Sequence, residues 1–184
     1  MQFHPTPLQD CFVVTPDIFK DHRGIFLETY HKKKFKEATG LEIDFVQDNQ
    51  SVSNKGVLRG LHFQSGDFAQ AKLVRVIYGE VLDVVVDLRP QSPTFKKAHK
   101  IILNDENQHQ LYVPQGFAHG FITLSEISVF SYKCDRFYYP GSESGIIYND
   151  PSLAIDWGFP EEKMILSEKD LRLPTLKELS QKTI

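Results

Sequence analysis

The sequence contains only two cysteines, Cys11 and Cys134, and lacks any apolar run near the ~20 residues of a membrane-spanning helix. It also lacks a basic excess, since 21 lysines and arginines face 24 aspartates and glutamates, for a net charge of -3. These absences exclude a disulfide framework and argue against a nucleic-acid or membrane partner. The first residues have neither the basic start nor the apolar centre of a signal peptide. We therefore expect a cytoplasmic protein with two reduced thiols.

Internal repeats, low-complexity tracts and linkers are also missing, so residues 1–184 are expected to form one domain. Turn residues such as Pro90, Pro93 and Pro114 separate short runs rich in β-branched residues. This pattern is typical of an all-β sandwich or barrel. The predicted strands are Phe12–Val14, Ile25–Thr29, Phe45–Gln47, Val57–Gln64, Leu73–Ile77, Val81–Leu88, Ile101–Leu103, Leu111–Val113, Gly120–Leu124, Val129–Lys133 and Ile146–Tyr148.

Two local signals complete the expected secondary structure. The turn Tyr78-Gly79-Glu80 predicts a hairpin between the strands on either side. Short peripheral helices are predicted over His31–Thr39, which Gly40 would end, and over Pro174–Lys182.

Two stretches concentrate residues with chemical potential, Arg59–Gln64 with Gln70–Lys72, and Pro114–Phe121. A lone histidine in a sheet is more often a structural residue, and that reading applies to His62 and His119 taken singly. A histidine, two cations and an amide within fourteen residues make it less attractive. Arginine and lysine are costly to bury without an anionic partner. Arg59 and Lys72 therefore predict either an anionic ligand or an internal salt bridge, with Asp83 and Asp87 as the candidate partners.

Strict strand alternation conflicts with a shared site for Arg59 and His62. In a regular strand, one face would carry the even-numbered residues Leu58, Gly60, His62 and Gln64. The other face would carry the odd-numbered residues Arg59, Leu61 and Phe63. A β-bulge would remove the conflict, and Gly60 is where we expect it.

The stretch Pro114-Gln115-Gly116-Phe117-Ala118-His119 resembles the second motif of cupins, proline-x-glycine-x-x-histidine. The first motif of metal-binding cupins carries histidine-x-histidine, whereas this chain has His62-Phe63-Gln64. Glu80, the next acidic residue of that strand pair, is too distant to replace the missing ligand. Two histidines without a carboxylate at the right spacing make a poor metal site. We expect neither a metal nor another cofactor.

From end to end, the chain is similar to the dTDP-4-dehydrorhamnose 3,5-epimerase family. The similarity is carried by Asp21–Glu28, Gln47–Ser51, Val57–Gln64, Gln70–Val74, Gly79–Arg89, Tyr112–Phe121, Tyr132–Cys134, Asp150-Pro151, Ile155–Trp157 and Ser167–Asp170. The resemblance implies a cupin-type jelly-roll β-sandwich that forms homodimers and acts on a nucleotide-linked 4-keto-6-deoxy sugar.

The resemblance also implies roles for individual residues. His62 matches the general base, Asp170 its orienting carboxylate, Tyr132 the proton donor on the opposite face, and Lys72 a group near the ketone oxygen. Tyr138 matches the residue that stacks on thymine. The other substrate-binding positions are Arg23, Glu28, Gln47, Asp48, Asn49, Arg59, His119, Glu143 and Lys169.

These residue types also suit the chemistry without the resemblance. A histidine titrates near neutrality and can take a proton beside a ketone, and a carboxylate on its other nitrogen fixes the tautomer. Lysine can stabilise an enolate, and tyrosine can donate from the opposite face. Three alternatives stay open at single residues. Tyr138 or Tyr139 could be the acid, Tyr132 could be a core residue, and Asp170 could be an exposed helix cap.

Three other functions compete with a 3,5-epimerase. A single-carbon epimerase of the same family would carry the same residues. A metal-dependent cupin is disfavoured by Gln64. A non-catalytic sugar-binding cupin would not need His62, Asp170 and Tyr132 together.

Overall fold

The computed structural model describes residues 1–182, in which β-strands dominate and two α-helices lie at the periphery. The strands are β1 Gln2–Pro5, β2 Phe12–Thr15, β3 Ile18–Asp21, β4 Gly24–Leu27, β5 Gln47–Asn54, β6 Leu58–Gln64, β7 Lys72–Tyr78, β8 Glu80–Asp87, β9 Ala98–Asn104, β10 Gln110–Val113, β11 Phe117–Thr123, β12 Ile127–Cys134 and β13 Glu143–Gly145. The helices are α1 Lys32–Thr39 and α2 Leu176–Lys182. Short 3-10 turns cover Gly66–Phe68, Pro140–Ser142, Glu161–Lys163 and Asp170–Arg172.

Two antiparallel sheets and a separate ribbon make up the architecture. The six-stranded sheet has the order β1-β2-β10-β7-β12-β5, and the five-stranded sheet has the order β13-β6-β11-β8-β9. Strands β3 and β4 pair only with each other, as a two-stranded ribbon. The predicted all-β class is confirmed, and the arrangement is a cupin-type jelly-roll β-sandwich.

Apolar side chains fill the space between the two sheets. Val74 and Val76 of the six-stranded sheet and Val81 and Val85 of the five-stranded sheet are at most 1% exposed and belong to one inner cluster. A second, outer cluster lies on the other face of the five-stranded sheet, where Trp157 and other residues of the C-terminal segment cover it. Because β8 is covered on both faces, it reads in the sequence as a nearly unbroken apolar run.

The predicted hairpin at Gly79 is wrong. Strand β7 pairs with β10 and β12, whereas β8 pairs with β11 and β9, so the turn carries the chain from one sheet to the other. Gly79 has φ +79°, and a β-carbon there would lie 2.2 Å from the carbonyl oxygen of Ile127. The turn requires glycine for both reasons.

Several other predicted strands differ from the structure. Phe45 precedes β5 and packs edge-on against Tyr30 and Phe35 instead of joining a strand. The segment Ile146–Tyr148 is not a strand, although Ile146 exchanges two backbone hydrogen bonds with Leu61. Strands β1, β3 and β13 were missed, because β1 contains a proline, β3 is exposed along its whole length and β13 has only three residues.

Both predicted helices are confirmed, with α2 starting two residues late. Gly40 ends α1 with φ +72° and donates its N–H to the carbonyl of Lys36. Thr175 and Glu178 bond reciprocally at the start of α2, which fixes its first turn. Neither helix is long and apolar enough to cross a membrane, and this statement covers residues 1–182.

Candidate active site

A β-bulge in β6 sets the geometry of the site. Opposite β11, His62 pairs with His119 but Arg59 pairs with Phe121, so β6 carries one extra residue between them. Gly60 stands at this point with φ +128°, and a β-carbon on it would lie 2.6 Å from the Cα of Gly120. The bulge expected at Gly60 is therefore confirmed. It lets Arg59 and His62 face the same cavity.

This cavity, of about 600 Å³, lies between the two sheets. Seven of the candidate residues line it: Arg59, His62, Lys72, His119, Tyr132, Lys169 and Asp170. Its other walls are formed by Gln50, Ser51, Val57, Leu58, Phe121, Phe130, Ile165, Leu166 and Ser167. One cavity thus collects residues from five strands and from the segment before α2.

His62 and Asp170 form a hydrogen-bonded pair, with His62 Nε2 2.5 Å from Asp170 Oδ1. Asp170 is only 4% exposed, so the alternative of an exposed helix cap is wrong. Burial alone would raise the pKa of Asp170. Its pKa is lowered instead, because the carboxylate accepts hydrogen bonds from His62, from Ser167 and from the backbone of Gly60. Because the carboxylate holds Nε2–H, the free nitrogen of the imidazole is Nδ1.

Lys72 and Tyr132 stand on the six-stranded sheet, with the Lys72 ammonium 5.7 Å from the centre of the Tyr132 ring. Burial lowers the pKa of Lys72 and raises the pKa of Tyr132. A raised pKa keeps the phenol protonated at neutral pH, as a proton donor requires. Tyr132 also lines the cavity, so packing against the core is not its only contact.

Two cations of the cavity, Arg59 and Lys72, are not neutralised by internal salt bridges. The two candidate partners are engaged elsewhere, Asp83 with His119 at 2.8 Å and Asp87 with Arg89 at 2.9 Å. Within residues 1–182, Arg59 and Lys72 make no ion pair, and Arg59 Nε donates to the hydroxyl of Ser53 at 3.1 Å. The salt-bridge alternative is wrong, and both cations remain available to an anionic ligand.

Tyr138, Glu143 and Lys169 form a connected group. Tyr138 donates its hydroxyl hydrogen to Glu143 Oε2 at 2.7 Å, and Lys169 Nζ lies 2.6 Å from Glu143 Oε1. Burial would raise the pKa of Glu143, but Lys169 and Tyr138 lower it instead. The Tyr138 residue is 47% exposed. Its hydroxyl is therefore fixed while its ring stays open to a stacking partner.

The residues of β5 divide between its two faces. Gln47 donates from Nε2 to Asn49 Oδ1 at 3.0 Å and accepts the backbone N–H of Tyr138 at 3.0 Å. Asp48 points away from them and pairs with Lys133 at 2.9 and 3.0 Å. None of the three β5 residues lines the cavity of this chain.

Arg23 and Glu28 also lie outside the cavity of their own chain. Arg23 is in the turn of the β3–β4 ribbon, pairs with Asp21 at 2.5 Å and has a side chain that is 79% exposed. Glu28 pairs with Lys34 at 2.8 Å.

Several residues of the site carry little or no signal in the sequence. Gln50 and Ser51 line the cavity but lie in a polar strand with no distinctive pattern. Ser167 accepts the backbone N–H of Asp170 at 3.1 Å, and the spacing Ser-x-x-Asp is the signal that could have identified it. Asp83 appears as the carboxylate partner of His119 and not of a cation.

The position of the missing cupin ligand has another use. Gln64 is 5% exposed and exchanges two hydrogen bonds with the backbone of Tyr139. Among residues 1–182, no group of three or more His, Cys, Asp or Glu side chains could hold a metal ion.

A histidine held by a carboxylate and a protonated tyrosine thus face one cavity from opposite sheets. This arrangement can take a proton from one side of a bound ring and return one from the other. It defines a cupin-type carbohydrate epimerase.

Comparison with known proteins specifies the family. The family model described as dTDP-4-dehydrorhamnose 3,5-epimerase matches residues 5–178. The dTDP-4-dehydrorhamnose 3,5-epimerase of Escherichia coli K12 is 49% identical over 95% of this chain and 94% of its own length. The chain belongs to the dTDP-4-dehydrorhamnose 3,5-epimerase family.

Solved structures agree with this membership. The crystal structure of the enzyme of that name from Elizabethkingia anophelis NUHP1 is 56% identical, covers 97% of both chains and superposes with a TM-score of 0.94. A dTDP-6-deoxy-D-glucose-3,5-epimerase from Legionella pneumophila Philadelphia 1, solved with dTDP-4-keto-L-rhamnose, is 45% identical. The match covers 100% of this chain and 96% of the Legionella chain, with a TM-score of 0.94.

Proposed function

We propose that this chain epimerises carbons 3 and 5 of dTDP-4-keto-6-deoxy-D-glucose to give dTDP-4-keto-L-rhamnose. The observation that carries the proposal is the placement of His62 and Tyr132 on opposite sheets around one cavity. A sugar ring between the sheets would present one face to the histidine and the other to the tyrosine. Such a site inverts a carbon instead of exchanging its proton on a single face.

The proton balance is closed within the site. His62 Nδ1 takes the hydrogen of a carbon beside the ketone, and the electron pair of the broken C–H bond forms the enolate. Tyr132 then delivers its hydroxyl proton to the same carbon from the other face. Solvent returns the proton of His62 to Tyr132, so nothing is oxidised or reduced. The Asp170 carboxylate stabilises the imidazolium that forms.

Lys72 would lie near the ketone oxygen, where negative charge develops. An ammonium already withdrawn from water costs little reorganisation at that moment and stabilises the enolate. Carbons 3 and 5 both adjoin the ketone, so both hydrogens are acidified. One base and one acid can serve both carbons if the ring changes pucker between the two transfers.

The nucleotide is placed at the Tyr138 end of the site. The partly exposed Tyr138 ring offers a stacking face for thymine, and its hydroxyl is held by Glu143. The unpaired Arg59 has the planar guanidinium that fits phosphate oxygens. His119 and Lys169, which line the same cavity, complete the group that would hold the sugar and diphosphate.

Turnover in deuterated water tests the reaction. With dTDP-4-keto-6-deoxy-D-glucose we expect two deuterons per product molecule, at carbons 3 and 5, by mass spectrometry of the reduced product. His62→Ala serves as the matched inactive protein and should incorporate none. A single deuteron at full conversion would identify a one-carbon epimerase, and none with wild-type protein would exclude enolate chemistry.

The proposed working form is a homodimer in the cytoplasm. The β3–β4 ribbon leaves Phe19 and Phe26 62% and 70% exposed, which is unusual for phenylalanine unless another surface covers it. Arg23 sits in the same ribbon and does not line the cavity of its own chain. We place the ribbon on a second copy, so that Arg23 reaches the diphosphate in the partner's site. Both cysteines are buried and free, which agrees with a reducing compartment.

Subunit complementation tests the dimer. Arg23→Ala and His62→Ala should each be poorly active alone. Mixed dimers of the two variants would contain one site with both residues intact, so activity should reappear on mixing. Light scattering should give twice the chain mass. A monomer by scattering, or no recovery on mixing, would contradict the shared site.

A further inference from the structure

The loop that carries Tyr138 is held by side-chain amides from both sheets. Gln64 of β6 donates from Nε2 to the carbonyl of Tyr139 at 3.1 Å and accepts the N–H of Tyr139 at 3.0 Å. Gln47 of β5, in the opposite sheet, accepts the N–H of Tyr138 at 3.0 Å. Two successive residues of the loop are therefore fixed by glutamines 17 positions apart in the sequence.

The contact made by Gln64 is a complete match of donor and acceptor. A primary amide presents a donor and an acceptor side by side, as the backbone of a neighbouring strand does. Gln64 is 5% exposed, so its amide has little water to bond instead. The Tyr139 ring adds a second anchor, since it stacks on Phe68 with ring centres 4.4 Å apart and an angle of 19°.

The side chains of the loop itself contribute little to its position. Phe137, Tyr138 and Tyr139 are 69%, 47% and 49% exposed, so burial of their side chains contributes little to the position of the backbone. The hydroxyl bond from Tyr138 to Glu143 fixes the end of the ring but not its plane. Gln70 holds the loop two residues before Tyr138, by donating to the carbonyl of Arg136 at 2.8 Å, whereas Gln64 and Gln47 bond the backbone at Tyr139 and Tyr138 and so act nearest the ring.

We propose that Gln64 is a positioning residue for nucleotide binding, which holds the Tyr138 ring by gripping the backbone of Tyr139. The proposal rests on the function proposed above, in which Tyr138 stacks on the base. Gln64 occupies the position of a metal ligand in other cupins, and here its amide organises the nucleotide end of the site. It does not touch the reacting carbons, so its effect belongs to binding and not to turnover.

Gln64→Met tests the proposal, because methionine keeps the length of the side chain and removes both hydrogen bonds. Losing two such bonds should raise the Kd of dTDP and the KM about tenfold while kcat stays within about twofold. Amide exchange measured by mass spectrometry should become faster in residues 137–142 and stay unchanged in β11. Gln64→Glu keeps an acceptor for the Tyr139 N–H but loses the donor to the Tyr139 carbonyl. If Gln64→Met fails to fold, the same measurements are made on Gln64→Glu.

Gln108→Met is the matched control, since Gln108 is also buried and donates to a backbone carbonyl, that of Asp105 at 2.6 Å, in a turn away from the cavity. It should leave Kd and KM unchanged. Unchanged exchange in 137–142, or faster exchange with unchanged dTDP affinity, would overturn the proposal. If wild-type protein bound no dTDP, the proposed function itself would fail, whereas equal binding by wild type and Gln64→Met would overturn only the role of Gln64.

Discussion

The Asp170→Asn substitution tests how much of catalysis depends on the charge held against His62. The carboxylate oxygen lies 2.5 Å from His62 Nε2 and is almost fully withdrawn from water. With about 4 Å between the charge centres and an effective dielectric constant of about 20, the attraction on the imidazolium is worth about 4 kcal/mol. Asparagine can still accept the Nε2–H hydrogen bond and recover about 1 kcal/mol.

The net loss of about 3 kcal/mol corresponds to a fall in kcat of about 10²-fold, or about 10³-fold if the hydrogen bond is also lost. Turnover is followed with the product-consuming, nicotinamide-dependent reductase in excess, and dTDP binding by calorimetry should stay within about threefold. Asp150→Asn is the control, because Asp150 is equally buried but bonds only to Ser152 and to backbone N–H groups far from the cavity. A folded Asp170→Asn protein with more than a tenth of wild-type turnover would refute the reasoning.

Four further outcomes follow from the same structure. Tyr132→Phe should still wash deuterium into substrate but should lose inversion, and normal product formation would remove Tyr132 as the acid. Tyr138→Ala should weaken dTDP binding by ~1–3 kcal/mol while Tyr138→Phe should not, and equal losses would indicate a hydroxyl contact instead of stacking. Dialysis against a chelator should leave turnover intact, and loss with recovery on added zinc or iron would contradict the metal-free mechanism. Burial would raise the pKa of Asp87, but bonds from Arg89 and two hydroxyls lower it to about 2. Since the unfolded value is ~3.9, this stabilisation is present above about pH 4 and is lost as the pH falls toward 2. Urea unfolding should show that loss in wild type and a flatter dependence in Asp87→Asn, and identical curves would contradict it.

Local patterns predicted the parts of the fold that local physics decides. Runs of β-branched residues identified β7 and β8, and Gly40 marked the end of α1. The bulge at Gly60 could be predicted because two residues that needed one site had the wrong spacing for a regular strand. The pairing of His62 with Asp170, 108 residues apart, came from family resemblance and not from pattern.

The predictions were wrong where the structure depends on contacts between residues far apart in the sequence. Tyr78-Gly79-Glu80 fits both a hairpin and a corner between two sheets, and the choice depends on β8 finding β9 and β11. Strand β5 was placed too early because all its residues except Val52 are polar, both those that face the inside of the sandwich and those that face solvent. The sequence of β5 therefore shows no alternation of apolar and polar residues. Arg23 could be located only in the ribbon, because the role proposed for it in the site depends on a second copy of the chain.

The bulge at Gly60 also sets a rule for anyone who redesigns this wall of the cavity. Before it, the odd-numbered Arg59 faces the cavity, while the even-numbered Leu58 belongs to the outer cluster and only borders the cavity; after it, His62 faces inward and Leu61 belongs to the outer cluster. The parity of inward positions thus reverses within one strand. A library that randomises alternate residues along β6 would therefore change binding residues in one half and outer-cluster residues in the other. Deleting Gly60 would restore a single parity and leave Arg59 and His62 two residues apart, so regular alternation would keep both on the cavity side, whereas straightening β6 with all its residues kept would turn one of them away.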